Sequence, residues 1–153
     1  MINVDVLSED KKWSKKISKK EDFFNKLLKF FPKKYKFINK KVSLTLLLSN
    51  NKRVKKLNKQ FRNKNKATDI LSFPFYEKLK LKKKIRIEKE VYLGDIIINL
   101  NKVKNKKNKV KFREELNNLW IQGLVYLFGQ KHKKNKEFHA MNKIEKKFIE
   151  FIN

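Results

Sequence analysis

The chain has 153 residues, a formal net charge of +27 at pH 7 and no cysteine. This length predicts a single domain over residues 1–153, and 40% hydrophobic residues argue against a disordered chain. The lack of cysteine excludes a disulfide partner and a thiolate metal site, and no apolar run is long enough for a membrane span, so we expect a cytoplasmic protein without membrane contact.

The positive charge has two explanations. Basic surfaces bind polyanions through phosphate contacts, which predicts a nucleic-acid partner. An AT-rich genome would also produce this composition, because lysine far outnumbers arginine while alanine, glycine and proline are scarce. Arginine occurs only at positions 53, 62, 86 and 113. The charge alone therefore leaves both explanations open.

The first half of the chain predicts alternating strands and helices. Ile2–Leu7 alternates apolar and polar residues, which is typical of a strand, and Trp13–Phe31 carries a helical apolar stripe that ends before Pro32. Val42–Leu48 predicts a second strand, and Ser49 is the expected N-cap of the helix that follows. The apolar face of that helix is predicted to consist of Val54, Leu57 and Phe61.

The middle of the chain predicts two further strands with a charged insert between them. Asp69–Phe75 is a short apolar run, and Pro74 limits its continuation as an interior strand. Residues 77–90 alternate leucine or isoleucine with lysine, which favours either a hairpin arm or a solvated connection. Val91–Asn99 predicts a strand.

The C-terminal third predicts helices. Residues 101–111 are rich in lysine and asparagine and indicate either an exposed, mobile segment or the start of a helix. Phe112–Phe128 has a strong helical pattern, and Phe138–Ile152 predicts a final amphipathic helix. This order of elements predicts an α+β fold, in which a small mixed sheet of about four strands is packed with helices.

The stretch Gln122–His132, QGLVYLFGQKH, has the spacing of a metal site carried by a helix. Gln122 and Tyr126 are four residues apart and share a helix face, Gly129 suits a helix end with positive φ, and His132 follows. Helices hold catalytic metals with such a pair plus a third ligand after a turn. Glutamine and tyrosine, however, occupy the places where this site would have two histidines.

Three ordered blocks resemble the YbeY family of bacterial rRNA maturation endoribonucleases. Leu57–Phe75 is similar to the family's LN…R and TDVLSFP blocks, residues 93–99 resemble its LGDI strand, and Gln122–His132 aligns with its HGxLHLxGYDH motif. Met141 and Glu145 match its M…E helix. The resemblance implies an α+β fold whose C-terminal helices carry the motif, one bound zinc, single-stranded RNA as substrate, and ribosomal RNA and the ribosome, in particular its small subunit, as partners.

The resemblance also implies roles for single residues. Arg62 matches the family's functional arginine and is the catalytic candidate. The candidate RNA contacts are Arg62 and two basic residues that the resemblance does not supply, Lys64 and Lys131, the second of which replaces the family's usual aspartate. His132 matches the third zinc histidine, whereas Gln122 and Tyr126 stand at the first two ligand positions. Glutamine and a neutral phenol are weak zinc ligands, so we expect a site that holds no zinc under ordinary conditions.

Three functions stay open from the sequence: a metal-dependent endoribonuclease, a non-catalytic RNA- or ribosome-binding descendant, and a protein-cleaving hydrolase. The third lacks both its ligands and the glutamate of HExxH.

Several residues also have plain structural explanations. Arg62 would pair with Asp69 or Asp95, Thr68 and Asp69 would order a turn, and His139 would lie on the solvated side of the last helix. Ser72 lacks an evident orienting acid for a nucleophile. Trp120 and Phe128 are expected in the core.

Overall fold

The computed structural model of the chain describes residues 1–31, 33–129, 139, 142–143 and 146–147. Within these ranges, no helix is both long enough and apolar enough to cross a membrane. The assignment of residues 1–153 to one domain stays a prediction.

A four-stranded mixed sheet forms the centre of the fold, in the order β1-β2-β4-β3. β1 runs parallel to β2 and β2 parallel to β4, whereas β3 pairs antiparallel with β4 at the edge of the sheet. The predicted mixed sheet of about four strands is confirmed. The strands are β1 (Ile2–Ser8), β2 (Lys41–Ser49), β3 (Ile70–Pro74) and β4 (Glu90–Asn99).

Five α-helices connect and cover the strands in the described part of the chain, which confirms the predicted α+β class. Two of them lie between β1 and β2, one follows each of β2 and β3, and the longest follows β4. They are α1 (Lys12–Lys16), α2 (Lys20–Leu28), α3 (Asn51–Arg62), α4 (Lys78–Ile87) and α5 (Lys109–Leu127).

The single helix predicted over residues 13–31 is wrong, because the chain breaks after Lys16 into α1 and α2. Ile17 has extended backbone angles, φ −137° and ψ 119°. The break changes the direction of the chain, so that Trp13 of α1 and Phe24 of α2 are both fully buried. Trp13 Nε1 also donates a hydrogen bond of 2.9 Å to the Ser49 carbonyl on β2.

The predicted N-cap at Ser49 is also wrong by one residue. Asn50 caps α3, and its side-chain oxygen accepts a hydrogen bond of 3.2 Å from the Arg53 amide. Ser49 is buried, and its hydroxyl donates to Glu9 at 2.9 Å. The predicted apolar face of this helix is only partly covered, because Val54 is buried while Phe61 is 61% exposed.

Residues 77–90 form neither a hairpin arm nor an irregular connection, because most of them form helix α4. Lysine and leucine are good helix formers, and Leu81 and Ile85 lie one turn apart against the core. The alternation that predicted a strand places Leu79 and Ile87 in solvent, at 75% and 70% exposure.

The predicted helix start falls at the end of the segment 101–111, because α5 begins at Lys109, and most of the residues before it are exposed. Asn108 is the N-cap of α5, and its side chain accepts a 3.1 Å hydrogen bond from the Lys111 amide. The helix predicted over 112–128 is confirmed as α5. The final helix predicted over 138–152 lies mostly outside the described residues, although the five residues described there are helical and His139 is exposed, as expected.

The two faces of the sheet are covered unequally. Helices α1, α2 and α5 enclose the main hydrophobic core on one face, which includes Trp13, Phe24 and Trp120. On the other face α3 covers a small cluster built around Val54, Leu71 and Ile97. The edge strand β3 therefore lies between α3 on one side and α5 on the other.

Candidate functional site beside the edge strand

A cavity of about 160 Å³ lies at the edge strand, between the end of α3 and the C-terminal half of α5. It brings together residues from two of the sequence blocks, Arg62 from the first and Gln122 and Tyr126 from the last. The residues that line it are Arg62, Ile70, Ser72, Gln122, Gly123 and Tyr126.

Gly123 allows α5 to approach the sheet closely at this point. A Cβ atom added there would lie 2.9 Å from Ile70 Cδ1 and 3.0 Å from Ile96 Cγ2, closer than such atoms normally come. Because helix and strand lie this close together, the Ser72 hydroxyl can donate a 2.9 Å hydrogen bond to the Gly123 carbonyl. This contact places Gln122 and Tyr126 beside β3.

Arg62 is the last residue of α3 and is held in place by three neighbours. Its Nη2 donates a 2.9 Å hydrogen bond to the Ser72 carbonyl on the edge strand. Its Cζ lies 5.5 Å from the ring centroid of Phe73 and 5.9 Å from that of Tyr126, which are cation–π distances. The guanidinium is therefore anchored on one side and surrounded by aromatic faces, although the residue as a whole is exposed.

The alternative in which Arg62 pairs with Asp69 or Asp95 is wrong. Within the part of the chain that the structure describes, Arg62 forms no ion pair. Asp69 lies 3.4 Å from the Thr68 hydroxyl, and its carbonyl accepts from the Asn99 amide at 2.9 Å, which fits the predicted ordering of this turn. Asp95 lies on the α3 face of the sheet, where its carboxylate accepts a hydrogen bond from the Tyr92 hydroxyl.

Gln122 and Tyr126 lie on the same side of α5, as their spacing predicted, and both are partly exposed. Both side chains line the cavity, and neither makes a hydrogen bond to another described residue. The predicted helix stop is confirmed: α5 ends at Leu127, and Gly129 has φ +90°. A side chain at Gly129 would collide with Lys78 of α4, since its Cβ would lie 2.6 Å from the Lys78 Cβ.

The lysine and histidine predictions reach the limits of the described chain. Lys64 is exposed in the turn after α3, where its amide donates a 3.2 Å hydrogen bond to the Asn58 carbonyl, and it does not line the cavity. Lys131 and His132 lie outside the described residues. The roles of Lys64, Lys131 and His132 therefore stay predictions.

The residues at the predicted zinc positions do not fit zinc. A catalytic zinc site needs three strong protein ligands, typically imidazole, thiolate or carboxylate. The two positions that the structure describes provide the amide of Gln122 and the phenol of Tyr126, with the Arg62 cation beside the tyrosine ring. Within the described ranges, no three histidine, cysteine, aspartate or glutamate side chains converge on a point.

Other candidates are structural. Ser72 is buried, and because its hydroxyl proton is donated to the Gly123 carbonyl, it is not activated as a nucleophile in this arrangement. Trp120 and Phe128 are buried, as predicted for core residues.

One polar cluster was not predicted from the sequence. The Tyr92 hydroxyl donates to Asp95 Oδ1 at 2.5 Å and lies 2.7 Å from Thr45 Oγ1, on the face of the sheet that α3 covers only in part. Burial, together with the Asp95 carboxylate, raises the pKa of Tyr92 to about 12. A regular strand would place residues 92 and 95 on opposite faces, but a register shift beside Gly94 places them on the same face.

Comparison with known proteins identifies the family. The model of the family described as Endoribonuclease YbeY matches residues 5–153. A curated relative of that name from Pelagibacter ubique is 52% identical, over 99% of this chain and 97% of its own length. The Endoribonuclease YbeY of Buchnera aphidicola is 34% identical, over 88% of this chain and 81% of its own length.

A solved structure supports the same assignment. The solution structure of a Thermotoga maritima protein matches 98% of this chain and 87% of its own, with a TM-score of 0.56 and 25% identity. Together with the family match over nearly the whole chain, these similarities show that the protein belongs to the YbeY family.

Proposed function

We propose that this protein acts on single-stranded RNA in the maturation of ribosomal RNA, in the cytoplasm and in association with the small ribosomal subunit. The name of the relatives, endoribonuclease, supports RNA as the substrate and hydrolysis of a phosphodiester as the reaction. The observation that carries the proposal is the anchored guanidinium of Arg62 in a cavity lined by residues of the family motif.

Arg62 has the chemistry to bind an RNA phosphate. A guanidinium presents a planar set of N–H donors that matches two phosphate oxygens at once. The bond to the Ser72 carbonyl and the rings of Phe73 and Tyr126 restrict its movement, so little further ordering is needed when the phosphate binds. The net charge of +27 attracts the same ligand over longer distances.

The test is equilibrium binding of a fluorescently labelled single-stranded RNA to the wild type and to Arg62→Lys. Lysine keeps the charge but loses the planar donor set, so we expect about tenfold weaker binding. The wild-type affinity should also fall with salt, with a log–log slope of about −0.7 per phosphate contact. Binding that is absent at low salt, or insensitive to salt, would contradict the proposal.

Arg53→Lys is the matched control for this substitution. Arg53 lies on the same helix, but it pairs with Glu9 at 3.3 Å and does not line the cavity. Lysine can keep that ion pair, and we expect RNA affinity close to that of the wild type. Equal losses in the two variants would mean that the cavity has no special part in binding.

A second candidate function is RNA binding without cleavage. The observation that favours it is the pair Gln122 and Tyr126 at positions where catalytic zinc needs strong ligands. Incubation of a labelled rRNA precursor with the purified protein, with and without a chelator, separates the two candidates. Cleavage that Arg62→Lys reduces supports the endoribonuclease, whereas salt-sensitive binding without cleavage supports the second candidate.

A further inference from the structure

The cavity beside β3 is chemically better suited to an anion than to a cation. Its described lining carries the positive charge of Arg62 and includes no carboxylate. A metal ion placed there would be repelled by the guanidinium, and the described lining residues offer no anionic ligand to offset that repulsion. A phosphate group would be attracted by the same charge.

The two uncharged polar groups provide additional hydrogen-bond donors. The Gln122 side chain has an NH₂ group and the Tyr126 side chain an O–H group. Neither is used in a hydrogen bond within the described residues, and both side chains line the cavity with Arg62. A phosphate oxygen can accept from all three, whereas a metal ion cannot use a donor.

Tyr126 has a second role that a metal-binding histidine could not fill. Its ring lies 5.9 Å from Arg62 Cζ, so its electron-rich face stabilises the guanidinium beside the cavity. An imidazole that carried a metal ion or a proton would present positive charge to the same guanidinium. Tyrosine at this position therefore helps to hold the Arg62 guanidinium beside the cavity.

From this chemistry we propose that the position of the family's metal is used in this chain as a phosphate-binding pocket, with Arg62, Gln122 and Tyr126 as the donors. The inference rests on the proposed function for the identity of the natural ligand, which would be a phosphodiester of single-stranded RNA. It differs from that function in requiring that the phosphate bind directly to the protein, without a metal ion.

Inorganic phosphate added to the chelator-treated protein tests the pocket independently of RNA. In ¹⁵N NMR spectra we expect shifts of the Gln122 side-chain amide and the Arg62 Nε–H signals, with one common dissociation constant. Failure of the proposed function would appear as an absence of RNA binding with these shifts intact. Phosphate shifts spread over the lysines of the surface, with no response at Arg62 and Gln122, would overturn the inference.

Two pairs of variants sharpen this experiment. Gln122→Glu replaces a donor with a negative charge and should weaken phosphate binding about tenfold or more, whereas Gln60→Glu makes the same change at an exposed position of α3. Tyr126→Phe keeps the ring but removes the hydroxyl, so it should weaken phosphate binding more than Tyr76→Phe, its control outside the cavity. Equal effects of the site and control variants in both pairs would overturn the proposal.

Zinc provides the reciprocal test. Zinc added to the chelator-treated wild type should not bind in stoichiometric amount. The double variant Gln122→His with Tyr126→His, which adds two imidazoles to the sequence that contains His132, should bind one zinc and lose most of its phosphate affinity. One tightly bound zinc in the wild type, or unchanged phosphate affinity in the double variant, would overturn the proposal.

Discussion

The two faces of the sheet differ in how completely they are covered. On one face, α1, α2 and α5 bury large side chains such as Trp13, Phe24 and Trp120. On the other face, α3 leaves a groove of about 440 Å³ lined by residues that include Leu47, Leu57 and Phe61. The first face therefore supplies most of the stabilising burial, and the second leaves apolar surface exposed to solvent.

The candidate site lies where these two faces meet. Arg62 comes from α3 on the thinly covered face, whereas Gln122 and Tyr126 come from α5 on the well-packed face. The cavity therefore depends on the position of both helices relative to β3. A substitution can therefore disrupt the cavity either by destabilising the packing of α5 on the first face or by displacing α3 on the second.

The largest expected difference compares one leucine from each face. Leu44→Ala removes a fully buried side chain from the main core and should lower the free energy of unfolding by about 3–5 kcal/mol. Leu57→Ala removes a half-buried side chain of α3 and should lower the free energy of unfolding by about 1 kcal/mol, because water already reaches that face. Urea unfolding curves measure both values, and equal losses would mean that the two faces contribute equally.

The next largest effect is expected at the contact between α5 and the edge strand. Gly123→Val places a branched side chain where even a Cβ lies 2.9 Å from Ile70 Cδ1, so overpacking should destabilise the protein by about 2–3 kcal/mol. Because the clash pushes α5 away from β3, RNA affinity should fall even where the variant remains folded. Thermal unfolding and RNA binding are the two measurements, and an unchanged melting temperature would contradict the observed proximity.

Much of the well-packed face could be predicted from sequence. Its strands and α5 have long apolar patterns, and their burial agrees with the periodicity of residues such as Leu44 and Trp120. The apolar pattern predicted the wrong element at two places, where local backbone geometry or helix propensity overrides it. The extended backbone at Ile17 divides a continuous helical stripe, and helix propensity outweighs strand-like alternation in α4.

The candidate site was predictable only in part. The four-residue spacing of Gln122 and Tyr126 predicted their common face, and the resemblance added Arg62. The contact of Arg62 with the Ser72 carbonyl was not predictable, because a side chain that reaches an edge-strand carbonyl leaves no sequence pattern. The cluster of Tyr92 and Asp95 was missed because the register shift between them breaks the two-residue period.

A smaller effect compares two buried asparagines on opposite faces. Asn117 of α5 is fully buried, and neither polar atom of its amide has a hydrogen-bond partner among the residues that the structure describes. Asn58 of α3 is buried too, but its Nδ2 donates a 2.9 Å hydrogen bond to the Lys66 carbonyl. Asn117→Leu should therefore stabilise the protein by about 1–2 kcal/mol, whereas Asn58→Leu should destabilise it by about 1 kcal/mol.

Chemical denaturation of the two variants measures these signs. The helix propensity of leucine exceeds that of asparagine in both, so this contribution is common to the pair and cancels in the comparison. A loss of stability in Asn117→Leu would mean that the buried amide is satisfied in solution, for example by a bound water.

The smallest expected effect is a pH dependence of stability on the thinly covered face. Tyr92 has an ordinary pKa of 10.0, which burial and the Asp95 carboxylate raise to about 12 in the folded protein. Below pH 10 the phenol keeps its proton in both the folded and the unfolded chain, and its contribution to stability is fully present. Between pH 10 and 12 the unfolded chain releases this proton first, so stability falls as pH rises.

Tyr92→Phe has no phenol to titrate and should lack this part of the decline. Lysine titration affects the wild type and the variant alike, so the difference between their unfolding free energies, measured from pH 9 to pH 12, isolates the contribution of Tyr92. Asp95→Asn removes one of the causes of the raised pKa of Tyr92 but leaves the burial. The pH range over which Tyr92 lowers the stability should therefore become narrower in this variant but should not disappear. Parallel curves for wild type and Tyr92→Phe would mean that the bond between Tyr92 and Asp95 is open to water, and that the α3 face is more loosely covered than the structure indicates.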